Sequence, residues 1–171
     1  LRQINKDLFT EGDNKNKQIA TILKIVIDCS FRIGNDKYTQ ENNSYGVTTL
    51  ESRHIKVNGQ TVSIDFIGKK GVRNQCKIKN KKLSKNLRTK KRTIGKDHRL
   101  FSYRKKNKYY EIKSSDVNRY LKQFGNFTTK NFRTWGANLE FIVQLLKYDI
   151  PDTITGKKRN VNESLQKVAD K

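Results

Sequence analysis

The sequence predicts an α+β fold, mainly α-helical, with a small antiparallel β-sheet. Three patterns predict it. Between Asp13 and Cys29, apolar residues recur at helical spacing. After an Asn58-Gly59 hairpin signal, Thr61 to Ile67 alternates, with Val62, Ile64 and Phe66 on one face. Two more helical stretches follow, one ending near Phe124 and one running from Thr128 or Thr129 to about Tyr148.

Taken in order, the first helix carries Ile19, Ile22, Leu23, Val26 and Ile27, with Asp13 as its candidate cap and Gly34 as a stop or turn beyond it. Tyr38 to Ser52 is polar and irregular. His54 to Val57 reads as a strand pairing with Thr61–Ile67; Gly68-Lys69-Lys70-Gly71 is a turn, and Val72 to Ile78 a third strand. Lys79 to Arg92 is so basic, with so few apolar neighbours, that it reads as a mobile or phosphate-tracking stretch. Arg99 to Ile112 mixes aromatics with cations. Ser114 or Ser115 caps the next helix, which Gly125 stops. The following helix has an apolar stripe of Phe132, Trp135, Leu139, Ile142, Val143 and Leu146, with Phe132 and Trp135 expected in the core. Pro151 breaks the chain, and a last helix is expected over 162–171.

The 171 residues suit one domain. Only 33% are hydrophobic, a thin supply, but they come in blocks that can form a core. Lys and Arg total 38 against 16 Asp and Glu, a formal charge of +22. Such an excess repels itself unless a polyanion neutralises it, so nucleic acid is the leading partner and an anionic membrane surface the second. No stretch is long and apolar enough to span a bilayer: Ile25-Val26-Ile27 is cut off at Asp28. The first residues are not a signal peptide, and a start at Leu1 suggests a trimmed piece. Cys29 and Cys76 have no metal spacing and read as free thiols of an intracellular protein.

Little catalytic apparatus is visible. His54 and His98 lack partners at ligand spacing, no phosphate-cradling P-loop occurs, and carboxylates are scattered. Three cations stand in unusual settings: Arg32 just past an apolar helix, Lys69 on a hairpin turn, and Arg133 near the apolar side of a helix start. A cation on a buried side needs an anionic partner.

Three segments, in order, carry a resemblance. The first is Phe31-Arg32-Ile33-Gly34-Asn35-Asp36-Lys37-Tyr38 with Glu41-Asn42, Tyr45-Gly46-Val47-Thr48-Thr49-Leu50 and His54-Ile55. The second is Phe66-Ile67-Gly68-Lys69, and the third Lys130-Asn131-Phe132-Arg133-Thr134-Trp135-Gly136-Ala137-Asn138. Together they resemble the catalytic domain of type IB DNA topoisomerases, poxvirus and bacterial members above all. The tyrosine recombinases share this chemistry, and a non-enzymatic relative could keep the fold, but the wording of the first and third segments favours the topoisomerase.

The resemblance implies a type IB topoisomerase/tyrosine recombinase-like catalytic core. It implies a transesterification in which a tyrosine attacks a DNA phosphodiester, becomes linked to the 3′ phosphate, lets the 5′ strand swivel and then rejoins it, with no metal, ATP or other cofactor. Arg32 and Arg133 would clamp the transition state and Lys69 would act as general acid. DNA contacts fall on Tyr38, Lys130 and Asn138, with Lys37 and Lys70 beside them. The family's histidine and nucleophilic tyrosine match nothing after Arg133, and its N-terminal β-rich clamp domain has no counterpart. Residues 1–171 are therefore expected to be a partial catalytic domain that binds DNA without cleaving it. The expected partner is duplex DNA engaged by a monomer, with no membrane, in a nucleus, nucleoid or virion.

Overall fold

The computed structural model describes residues 1–36, 39, 41, 43–94, 99–106 and 108–170. Helix α2 (Lys15–Cys29) is the axis of the core. Ile19, Ala20, Ile22, Leu23, Ile25 and Val26 are all at most 2% exposed, so burial wraps most of its circumference rather than one stripe. Packed around it are α1 (Arg2–Leu8), the sheet, and later helices. Its cap is Asn14, whose side chain accepts from the Lys17 N–H at 2.9 Å. Asp13, the residue expected there, instead pairs with Lys90 at 2.7 Å. The helix ends at Ser30, in the left-handed region (φ 55°), not at Gly34.

The sheet is antiparallel, in the order β1 (Ile55–Asn58), β2 (Thr61–Ile67), β3 (Arg73–Lys79). Asn58 pairs with Thr61 across the predicted hairpin. Val62, Ile64 and Phe66 face the core, and their register partners Ile78, Cys76 and Asn74 share that face.

The basic tract is not a mobile stretch. It forms α3 (Lys81–Thr93), capped by Asn80, whose side chain accepts from the Leu83 N–H at 2.8 Å. Leu83 and Leu87, four residues apart, are buried against β1 and β2. Lys91 donates to the Ser52 and Ile55 carbonyls, and Arg88 to that of Gly59. Two leucines at the right spacing thus suffice to dock a helix whose other positions are almost all polar.

A second hairpin, β4 (Ser102–Lys105) with β5 (Lys108–Glu111), follows. Helix α4 (Ser114–Lys122) starts at Lys113 rather than on a serine cap: Asp116 accepts from the Lys113 N–H at 3.0 Å and pairs with Lys15 of α2 at 2.6 Å. Then come α5 (Thr129–Leu145) and α6 (Ile154–Ala169), the last starting earlier than the sequence suggests because Thr153 caps it. Helix α5 meets α2 near Ser30. Beyond that contact its apolar stripe is uncovered by the described residues: Trp135 is 71% exposed, and Leu139, Ile142, Val143 and Leu146 are exposed too. Only Phe132 of the predicted stripe packs against the core. No helix among the described residues is long and apolar enough to cross a membrane.

The cysteines are not free thiols. Cys29 and Cys76 form a disulfide, with Cα atoms 5.9 Å apart. The alternation of β3 aims Cys76 at the core face, where α2 ends. The two are 47 positions apart in sequence, and only the tertiary fold brings them together. The bond also removes the compositional reason for assigning a reducing compartment.

Candidate functional site

The chain past α2 is held by a close crossing of two glycines. Phe31 anchors it, its ring edge-on to Phe66 at 5.0 Å. The Arg32 carbonyl accepts from the Val47 N–H at 3.0 Å and the Ile33 carbonyl from the Thr48 N–H at 2.8 Å. Between them Gly34 (φ 94°) lies against Gly46 so tightly that a Cβ on Gly46 would sit 2.3 Å from the Gly34 Cα. With its backbone pinned, Arg32 presents its side chain outward.

The same loop fixes the lysine turn. The Tyr45 N–H donates to the Ile67 carbonyl at 2.8 Å, one residue before Gly68. Gly68 donates to the Val72 carbonyl at 2.8 Å, Gly71 to that of Gly68 at 3.1 Å, and Lys70 adopts φ 63°. This tight turn projects Lys69 and Lys70 from the sheet end. Arg32, Gly34, Asn35, Ser44, Tyr45 and Lys69 line one cavity of about 190 Å³. No carboxylate is among those lining residues.

Behind the cavity, Tyr45 lies in a small polar network. Its hydroxyl accepts from Arg53 at 3.0 Å and donates to Glu51 at 3.3 Å, while Arg53 and Glu51 pair at 2.6 Å. Its ring lies 4.4 Å from that of His54. His54 Nδ1 accepts from the Glu51 N–H at 3.0 Å, and burial pushes its pKa down, against the opposing pull of Glu51. The imidazole is thus a neutral packing and acceptor group.

Arg133 enters from α5. Its Nε donates to the Ser30 carbonyl at 2.7 Å, two residues from Arg32. Burial, and then the positive charge of Arg32, lower its pKa. The two guanidinium groups thus interact unfavourably with each other.

The structure therefore brings Arg32 and Lys69 to one cavity and sets Arg133 beside Arg32. Lys70 shares the turn of Lys69, and Lys130 is exposed on the first turn of α5. Asn138 lies five residues beyond Arg133, about 140° around the helix at about 100° per residue, so it projects from a different side. Lys37 and Tyr38 lie outside the described residues. Sequence reasoning missed Asn35 and Ser44 as lining residues and the Gly34–Gly46 crossing. The two isolated glycines within polar loop sequence were its only signal. Among the described residues no group of histidine, cysteine and carboxylate side chains is arranged to hold a metal ion.

A basic α+β core that turns an arginine and a turn-borne lysine toward one small cavity, with a second arginine anchored two residues from the first, has the donor set of a phosphate-directed site. Guanidinium forks suit tetrahedral oxyanions, and an ammonium supplies a point charge with a transferable proton. Comparison with known proteins narrows this class. Residues 1–171 match the family described as eukaryotic DNA topoisomerase I, catalytic core. The chain is 34% identical over 140 residues to DNA topoisomerase 1B of Acanthamoeba polyphaga mimivirus, covering 78% of this chain and 41% of that protein. DNA topoisomerase 1B of vaccinia virus is 29% identical over 140 residues (81% and 42% covered), and DNA topoisomerase 1 of Mycosarcoma maydis 27% over 158 residues (82% and 15%). The chain belongs to the DNA topoisomerase I catalytic-core family, and it spans about two fifths of the length of these viral relatives.

Proposed function

We infer that this chain is the central part of a type IB DNA topoisomerase. The whole enzyme relaxes supercoiled duplex DNA by single-strand transesterification, without ATP or metal. The shared cavity of Arg32 and Lys69, with Arg133 anchored on the Ser30 carbonyl two residues from Arg32, supports this reading above all. A tyrosine oxygen attacks phosphorus, the bond to the 5′ oxygen breaks, and a 3′-phosphotyrosyl link forms. Negative charge builds on the two non-bridging oxygens, where Arg32 and Arg133 neutralise it. Lys69 gives its proton to the departing 5′ oxygen and takes it back on religation. Loss of one such electrostatic donor costs on the order of 100- to 1000-fold in rate.

The attacking tyrosine belongs to a part of the enzyme outside residues 1–171. Lys70, Lys130, Lys37, Tyr38 and Asn138 are proposed DNA contacts, and a monomer acts on the duplex, wherever the source keeps its genome. The chain by itself binds DNA, with affinity falling steeply between about 50 and 200 mM salt as counterions are released.

The test is relaxation of supercoiled plasmid in EDTA without ATP, comparing this chain with one extended through the downstream reading frame. Relaxation by the extended chain alone supports the reading, provided that Lys69→Ala in it abolishes turnover. Relaxation by residues 1–171 alone would place the nucleophile within the chain and overturn that part. Inactivity of both would overturn the assignment as an enzyme.

A further inference from the structure

The end of α2 is the joint of the candidate site. Cys29 closes the helix, Ser30 follows in the left-handed region at φ 55°, and Arg32 comes two residues later. A serine carries a Cβ and rarely adopts that conformation, so contacts on either side must hold it. Beyond Ser30, the Phe31 ring packs on Phe66 and the Arg32 carbonyl is pinned by the Val47 N–H. Before it, Asp28 is exposed and Ile27 only partly buried, and the covalent restraint on the helix end is Cys29–Cys76. Cys76 pairs with Ile64 of β2, the strand that leads to the Lys69 turn. One bond thus ties the helix end to the sheet that carries the lysine.

Helix α5 docks on this joint. Arg133 Nε donates to the Ser30 carbonyl at 2.7 Å, and the α5 backbone comes so close that a Cβ on Gly136 would lie 3.1 Å from Ser30 Oγ. The last turn of α2 has no basic residue of its own, so Arg133 supplies the cation that a helix C-terminus favours. The direction of the Ser30 carbonyl therefore sets the guanidinium. Both cysteines are partly exposed, so a small thiol reductant can reach the bond.

We propose that Cys29–Cys76 is a reversible redox site that positions Arg133: bonded, it holds Ser30 left-handed with its carbonyl on Arg133; reduced, it lets the joint relax and the arginine detach. The co-reactant is a dithiol. One of its thiolates attacks either sulfur, the bond between the two protein sulfurs breaks, and a mixed disulfide forms. The second thiol of the reductant then displaces the protein sulfur. Cys29 and Cys76 are left as thiols and the reductant as a cyclic disulfide, two electrons and two protons having passed to the protein. The effect on strand cleavage rests on the role proposed above for Arg133; the loosening of Arg133 does not.

The experiment is proton–nitrogen NMR of isotopically labelled residues 1–171, before and after dithiothreitol. The Arg133 Nε–H, assigned by its loss in Arg133→Lys, should give a sharp resonance in the oxidised chain and lose it on reduction. Backbone amides of β1 and β2 should stay dispersed, and reoxidation should restore the arginine signal. Ser30→Gly, which accepts the left-handed conformation without a Cβ, should keep the signal after reduction. In single-turnover cleavage of a labelled duplex, reduction should slow the full-length enzyme about 10- to 100-fold, the cost of misplacing a reacting group by up to about 1 Å. Cys29→Ser/Cys76→Ser should be slow throughout and indifferent to the dithiol. An Arg133 signal that survives reduction overturns the proposal, as does its equal loss in Ser30→Gly. Collapse of the β1 and β2 amides along with it also overturns it, since that is unfolding rather than a switch. A lost signal with an unchanged cleavage rate overturns the regulatory role. Absence of cleavage by the oxidised full-length enzyme would count against the enzyme reading, while the resonance would still decide the coupling of the bond to Arg133.

Discussion

Replacing Gly46 with alanine should damage the candidate site through a single methyl group. Gly46 lies in extended backbone (φ −141°) that any residue adopts, so no conformational strain arises and the cost is contact alone. The new Cβ would lie 2.3 Å from the Gly34 Cα, 2.4 Å from its nitrogen and 2.8 Å from the Arg32 carbonyl oxygen. Ordinary contact begins near 3.4 Å, so one strand must retreat by about 1 Å, and the obstacles are backbone atoms that cannot rotate away. Overpacking of this kind costs about 1–3 kcal/mol. Losing the Val47–Arg32 hydrogen bond adds about 1 kcal/mol. A total of about 2–4 kcal/mol lowers the melting temperature of a chain this size by about 5–15 °C. In the full-length enzyme, a shift of about 1 Å at Arg32 should slow single-turnover strand cleavage about 100-fold. Melting followed by circular dichroism, with cleavage of a labelled duplex, reads both effects. A Gly46→Ala protein melting within about 2 °C of the parent, a change of at most about 1 kcal/mol, would refute the claim that this crossing sets the position of Arg32.

Three more predictions follow from other parts of the molecule. In the Lys90–Asp13 pair the ammonium is the buried member, so Asp13→Asn should cost about 2–3 kcal/mol in denaturant titration while Lys90→Met stays within about 1 kcal/mol; the reverse order would contradict the assignment of burial. His54 has a lowered pKa in the folded chain, so the unfolded chain takes up the proton first as pH falls. Its contribution is whole above the unfolded value near 6.5 and is lost as pH drops from there through the folded value. Melting temperatures at pH 7 and pH 5 should therefore differ less for His54→Asn than for the parent, and an equal difference would remove His54 as the cause. Reduction of Cys29–Cys76, or its replacement by serines, should cost about 4 kcal/mol from the freed loop of 47 residues, measured as a drop in the denaturation midpoint; a midpoint indifferent to reductant would mean that the loop is held by packing alone.

Local signals in the sequence were read well where one short-range rule decided the outcome. The alternation of Thr61–Ile67 and the Asn58-Gly59 turn produced the observed hairpin because strand period and turn chemistry act over a few residues. Charge misled the reading of Lys79 to Arg92, because Leu83 and Leu87 anchor a helix there, while Lys90 and Lys91 turn inward onto Asp13 and two backbone carbonyls and the other cations lie toward solvent. Amphipathicity misled in the opposite sense at Trp135 and Leu139: spacing defines a face, but nothing in spacing says what covers it. The candidate site was legible as three cations in three motifs. Their placement and the disulfide were not, since each depends on residues brought together across dozens of positions by tertiary packing, nor was the glycine crossing, which joins loop backbone that no local rule sets.

The disulfide also gives the chain a topology of its own. Residues 29–76 form a covalently closed ring, and both Arg32 and Lys69 are members of it, while Arg133 approaches from outside. A protease that cuts once in an exposed part of the ring, such as the hairpin tip at Asn58–Gln60, leaves the two pieces joined. On a non-reducing gel such a nicked chain migrates as one molecule, and it separates into two only when the bond is reduced. Two members of the cluster are thus tied by a bond that survives a break in the backbone between them, and the third is held by folding alone.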